Sequence, residues 1–202
     1  IDILIGTQMI TKGHDFPNVT LVGVIYADIS LHIPDFRSAE RSFQLLTQVA
    51  GRAGRGKVPG LVIIQSLLPD HYVFDFVKDH DFRGFSEKEL ALREKLKYPP
   101  FTRMVLVEIE SEHEQAGELF ANRIHKALTR ILKRTNDIEI MGPARAALYQ
   151  INNRFRRHLI LRSYDHRKLH SVLSRLYETP EIKKSSNSKI KLTLDVDPIN
   201  LM

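Results

Sequence analysis

The chain contains no cysteine, so no disulfide and no thiolate metal site can form within it. No apolar run approaches the ~20 residues that a membrane-spanning helix needs. Internal repeats and low-complexity tracts are absent as well. The first residue is Ile1, and neither a methionine nor a signal-like segment opens the sequence, which suits an excised part of a cytoplasmic protein. A phosphate-cradling loop is also missing. Gly51-x-x-x-x-Gly56-Lys57 satisfies most of that pattern, and Leu21–Ala27 with Asp28 imitates the acidic strand that accompanies it. But Val58 stands where a hydroxyl would ligate Mg²⁺, a helix rather than a strand leads into Gly51, and the two elements come in the wrong order.

What remains is an ordinary folded composition. The 202 residues are 43% apolar and 27% charged, enough for one or two compact domains with real cores. The formal charge of +6 favours a polyanionic partner such as nucleic acid, although many unrelated proteins share that bias.

Two patterns divide the chain. Ile3–Ile5 reads as the end of a buried strand, and Leu21–Ala27 as a parallel strand covered on both faces. A helix is expected from Ser38 to Arg52, with Phe43, Leu46 and Val49 in one buried stripe. Another buried strand follows at Leu61–Gln65, then a helix from Pro69-Asp70 to about His80. This is the alternation of a doubly wound α/β half-unit with a parallel sheet. After a charged helix over 85–97, Tyr98-Pro99-Pro100-Phe101 cannot continue helical and marks a boundary between domains 1–97 and 98–202. Beyond it, strands at Met104–Ile109, Ile138–Met141, Arg156–Leu161 and Lys189–Val196 alternate with helices at 113–134 and Arg167–Tyr177. The order βαββαβ predicts an α+β ferredoxin-like domain, an antiparallel sheet with two helices on one face.

The densest chemistry lies in Gln48-Val49-Ala50-Gly51-Arg52-Ala53-Gly54-Arg55. A polar amide, a glycine and two arginines three apart gather at a helix end, and guanidinium forks suit the oxygens of a polyphosphate. Upstream, Gly6-Thr7-Gln8-Met9-Ile10-Thr11-Lys12-Gly13-His14-Asp15 is a glycine-containing loop with a hydroxyl able to donate to phosphate. These segments resemble the sixth and fifth motifs of superfamily 2 helicases. Lys12-Gly13-His14-Asp15-Phe16-Pro17, Asp35-Phe36-Arg37-Ser38-Ala39-Glu40-Arg41, Tyr98-Pro99-Pro100-Phe101 and Leu194-Asp195-Val196-Asp197-Pro198 narrow the resemblance to the PriA family of replication-restart DNA helicases.

The resemblance implies a partial RecA-like second helicase lobe followed by a domain similar to ribosomal protein S10. It implies that Arg52 and Arg55 act on the γ-phosphate of ATP bound to another lobe, that Gln48 helps orient the attacking water, and that Gly13, Asp15 and Gly51 border the nucleotide. Asp15 is suited either to a ribose hydroxyl or to Arg52. Gly6, Thr7 and Lys12 would touch the nucleic-acid backbone. ATP with Mg²⁺ would be held mainly by chain upstream of this one, and zinc only there. The implied partners are forked and single-stranded DNA, single-strand-binding protein with its acidic tail, and primosome proteins. The implied activity is 3′→5′ unwinding, with this chain alone inactive. A non-enzymatic nucleic-acid-binding module and a RecG-type translocase are the alternatives.

Three other groups carry two readings each. Arg154, Arg156 and Arg157 in Arg154-Phe155-Arg156-Arg157-His158 are either phosphate ligands or the charged guard of a strand edge. His166 and His170 have zinc-like spacing without a third ligand nearby, which favours a surface role. Asp195 and Asp197 suit a cation less well than loop caps or arginine partners.

Overall fold

The computed structural model describes residues 3–7, 9, 19–53, 59–133, 137–183 and 189–202. The chain divides into two compact units, Ile1–Ala91 and Leu92–Met202.

In the first unit, β1 (Leu21–Val24) pairs in parallel with β2 (Leu61–Ile64), Leu21 opposite Leu61 and Val24 opposite Ile64. A 3-10 helix, Ala27–His32, follows β1, and the main helix α1 runs Ser38–Ala50. Its expected stripe is buried: Phe43, Leu46 and Val49 all face inward. After β2 come α2 (Tyr72–Lys78) and the start of α3 (Phe82–Lys95). Phe43 and Phe85 stack face to face at 4.2 Å in a core completed by Ala27, Leu46, Val73 and Val77.

Two strand expectations change. Ile3–Ile5 has no regular secondary structure and exposed side chains rather than forming a buried strand, and no described strand pairs with it. Among the described residues, the two-stranded sheet is covered on one face only. Leu21, Leu61 and Ile63 are more than half exposed, and the described helices that join this core pack against the opposite side. The stretch from Gly54 to Val58, where the sequence places the cationic corner after α1, lies outside the described residues.

The second unit has the element order expected. β3 (Arg103–Ser111), α4 (Glu114–Leu132), β4 (Ile138–Ile151), β5 (Arg154–Ser163), α5 (His166–Tyr177), a short α6 (Pro180–Lys183) and β6 (Ile190–Val196) follow in turn. The four strands form one sheet in the order β4-β5-β3-β6, with every neighbouring pair antiparallel. Alternation along the strands decides the faces. Val105, Val107, Ile109, Leu159 and Leu161 point to α4 and α5, where Phe120, Ile124, Leu128, Leu169, Val172 and Leu176 complete the core.

β4 is much longer than its predicted four residues. Two register shifts against β5 break its alternation, one between Met141 and Ala144 and one between Arg145 and Gln150. An Asn152-Asn153 turn, both residues at positive φ, then closes the hairpin into β5. β5 is therefore an interior strand between β3 and β4, which removes the edge-strand reading of its arginines.

Candidate functional site

Helix α1 carries the beginning of the Gln48–Arg55 stretch, and its start is set by Asp35. That side chain is fully buried. Its Oδ1 accepts the Arg37 N–H at 2.8 Å and its Oδ2 faces Arg41 Nη1 at 3.1 Å. Ser38 closes the same turn from the other side, donating through N–H and Oγ to the Asp35 carbonyl at 3.0 and 2.7 Å. The Asp35–Arg41 segment is thus a staple that joins the preceding loop to the first turn of α1.

At the other end the helix tightens. Gly51 N–H donates to Thr47 O, Arg52 N–H to Val49 O and Ala53 N–H to Ala50 O, so the chain winds on for three residues past Ala50. Gln48 and Gly51 are exposed and Arg52 is half-buried. The backbone of Gly51 has φ −68°, which any residue adopts, and a Cβ there would meet only Thr47 O at 3.5 Å and Gln48 O at 3.7 Å. Neither conformation nor packing within this unit requires glycine at that position. Gln48, Gly51 and Arg52 are brought together on one helix end. Arg55, Lys12, Gly13 and Asp15 lie outside the described residues, while Gly6 and Thr7 are exposed in chain without regular secondary structure, with Thr7 Oγ1 accepting from Met9 N–H.

Asp28, which imitates an acidic metal-binding strand end in the sequence, is a structural group. It is completely buried, and its Oδ1 accepts the Leu67 N–H at 3.1 Å, tying the loop after β2 to the 3-10 helix after β1. Its carboxyl is held below the usual carboxylate range: burial opposes ionisation, but hydrogen bonds from Leu67 and its own backbone, and then from Ser66, outweigh it.

The basic strand is built differently from the cluster that the sequence suggests. Arg154 donates to Glu112 at 3.3 Å and is about one-third exposed. Arg156 lies on the face away from the helices, bonded to Glu108 and to the carbonyls of Leu148 and Met202. Arg157 points to the helix side and donates to Glu118 at 2.9 Å. His158 Nε2 meets the same Glu108 at 3.0 Å, and this bond first, with Arg156 after it, holds the Glu108 carboxyl down at about 2 against the opposition of burial. Two of the three arginines are nine-tenths buried with carboxylate partners. The sequence carries a signal for this that residue-by-residue reading passes over. Glu108 and Glu110 alternate along β3, with Glu112 just past its end, as Arg154, Arg156 and His158 alternate along β5, and the register sets Glu108 directly against His158 and Glu110 against Arg156.

Among the described residues, no group of three or more His, Cys, Asp or Glu side chains is placed to hold a metal ion, and no helix is long and apolar enough to cross a membrane. Asp197 takes an arginine partner, Arg103, at 3.0 Å.

A family model described as the primosomal protein N C-terminal domain matches residues 94–199. The replication restart protein PriA of Bacillus subtilis is 42% identical over the whole of this chain, and that of Synechocystis is 42% identical over 99% of it. The chain belongs to the PriA family. A more distant member, the replication restart protein PriA of Borreliella burgdorferi, is still 35% identical over the full chain. The chain spans 25%, 23% and 30% of the lengths of these three PriA proteins, about a quarter of each. Their alignment includes the staple and helix end of α1 as well as the second unit.

Proposed function

We propose that the chain is the later part of the second RecA-like lobe, followed by the S10-like C-terminal domain, of an ATP-dependent 3′→5′ DNA helicase that restarts replication at stalled forks. The observation that carries this reading is the end-to-end likeness to PriA proteins combined with the presentation of Gln48, Gly51 and Arg52 on one helix end. The lobe is supported by the parallel β1–β2 pair with α1 between them in sequence, and by the bare face of Leu21, Leu61 and Ile63, which further chain would cover. The ferredoxin-like reading of the second unit is supported by the βαββαβ order and the β4-β5-β3-β6 arrangement.

Phosphoryl transfer needs positive charge on the equatorial oxygens as the bond to the leaving group loosens. Arg52 and Arg55 supply it to ATP held mainly by other parts of the whole protein, where Mg²⁺ and zinc are bound too. Gly51, on which packing in its own unit makes no demand, leaves room for the nucleotide to approach backbone. Gln48 orients water. Gly6, Thr7, Lys12, Gly13 and Asp15 link nucleotide and DNA backbone. The C-terminal domain contacts DNA, single-strand-binding protein and primosome proteins. The test is DNA-stimulated ATP hydrolysis and forked-duplex unwinding by the intact protein, beside Arg52→Ala. Hydrolysis is expected to fall by about 10³-fold in that variant. Intact protein that neither hydrolyses ATP nor unwinds a fork would overturn the reading.

A further inference from the structure

Within Leu92–Met202 the cations of the sheet and those of helix α4 have different surroundings. Those on and beside the strands face carboxylates: Arg103 with Asp197, Arg145 with Glu114, Arg154 with Glu112, Arg162 with Glu139, and Lys191 with Glu110. Helix α4 is different. From residue 119 to residue 136 the sequence holds five cations, Arg123, Lys126, Arg130, Lys133 and Arg134, and no acid. Arg130 pairs with Glu181. Arg123, Lys126 and Lys133 are exposed, and among the described residues none of them meets a carboxylate. Arg123 has only the Phe120 ring beneath it, at 5.4 Å.

The direction of these side chains is not free. Phe120, Ile124, Leu128 and Ile131 bury the opposite side of α4 against the sheet, so the helix cannot turn its cationic face inward. Complementing the helix dipole accounts for basic residues in the last turn, where the effect is confined. It does not account for Arg123, more than two turns earlier, nor for the lack of any acid along the stretch. From Arg123 to Lys133 the charges cover about 15 Å of helix. Asn122 and Thr129 are exposed on the same surface, and the one large exposed apolar side chain on α4, Leu119, lies before Arg123, at the N-terminal end of the row. An evenly spaced row of cations among polar neighbours complements a repeating anion better than an acidic peptide with side chains to bury.

We infer that the outward face of α4 is a sequence-independent contact for a nucleic-acid backbone, with Arg123, Lys126 and Lys133 as phosphate ligands. This rests on the proposed DNA-handling role and places it on the helical layer, away from the paired arginines of β5.

The experiment compares two triple variants of the intact protein, Arg123→Gln/Lys126→Gln/Lys133→Gln and Arg103→Gln/Arg145→Gln/Lys191→Gln. Each removes three exposed positive charges, but only the first removes unpaired ones. Affinity for a mixed-sequence forked DNA is titrated from about 50 to about 200 mM salt. The α4 variant is expected to lose affinity equally on unrelated sequences, with its salt slope reduced by about 2 to 3, near 0.9 for each phosphate that is no longer neutralised. The strand-side variant should keep the wild-type slope, and both should melt like wild type. Equal slope losses in the two variants would reduce the effect to net charge and overturn the inference. So would an unchanged slope in the α4 variant, including the case in which it instead loses binding to an oligo-glutamate peptide, since the face would then serve an acidic protein segment. Failure here leaves wild-type unwinding and ATP hydrolysis intact, so it is distinguishable from failure of the helicase reading.

Discussion

Glu108 is one carboxylate serving two cationic or donor groups, and that sets its sensitivity. Its side chain is 14% exposed, and both Arg156 and His158 depend on it. Truncation leaves a buried guanidinium with only the Leu148 and Met202 carbonyls as acceptors. Glu108→Ala is therefore expected to destabilise the folded chain by about 2–3 kcal/mol, slightly below the range for fully enclosed pairs, as measured by urea denaturation. Acid acts on the same bond. The folded-state carboxyl sits at about 2, well below its ordinary 4.5, so its contribution is complete above the ordinary value. It drains away as pH falls from about 4.5 towards 2, since the unfolded chain takes up the proton first. Stability of the wild type should drop across that window, and the drop should be smaller in Glu108→Gln. An equally steep loss in both proteins would assign the acid sensitivity to other groups. Gly142 gives a sharper steric case. It has φ +95°, and a Cβ would lie 2.6 Å from the His158 carbonyl oxygen, which is backbone and cannot step aside. Gly142→Ala is expected to cost about 1–3 kcal/mol, read by thermal melting, whereas Gly51→Ala should leave stability unchanged.

At the scale of elements, α1 owes its position to its first turn. Asp35→Ala removes the acceptor for Arg37 N–H and the partner of Arg41 together. A loss of about 2–3 kcal/mol is expected, with faster amide exchange concentrated in the first turn of α1. Asp35→Asn, which keeps an acceptor oxygen, should lose about half as much. Normal exchange in Asp35→Ala would show that the hydrophobic stripe alone seats the helix. That stripe is plain in the sequence, because Phe43, Leu46 and Val49 recur at helical spacing and the core they enter is local. The α4 and α5 helices are legible for the same reason. β4 is cut short in a sequence reading because Gly142-Pro143 and the irregular pairing of residues 146–149 interrupt its alternation, so a periodic pattern cannot follow it to Ile151. The half-covered state of β1 and β2 is hidden as well. An apolar strand reads alike whether its second face meets a neighbour in the same chain or not. The arginines of β5 resemble a binding cluster because their partners, Glu108, Glu112 and Glu118, are about 40 to 50 residues away and become neighbours only through sheet register and the packing of α4.

For the whole molecule, the question is whether a helix end in a chain that spans a quarter of its relatives does chemistry or merely ends a helix. The two possibilities differ in what they stabilise. Arginines that complement a helix dipole act on the folded protein at all times, and losing one costs a fraction of a kcal/mol in stability. Arginines that meet a transferring phosphoryl group matter most while the bond is breaking, so their loss appears in turnover and little in ATP affinity. In the intact protein, Arg55→Ala is expected to lower kcat for DNA-stimulated ATP hydrolysis by about 10³-fold or more, with KM for ATP and binding of forked DNA changed only slightly. Arg55→Lys should recover little of it, because a lysine keeps the charge but presents no planar fork to two oxygens at once. The isolated 202-residue chain, with Val58 where a phosphate loop needs a hydroxyl, should not hydrolyse ATP in any of these forms. The decisive comparison sets steady-state kinetics beside a melting curve. Near-normal kcat in a folded Arg55→Ala protein would leave the arginine a structural role and overturn the helicase reading of this stretch.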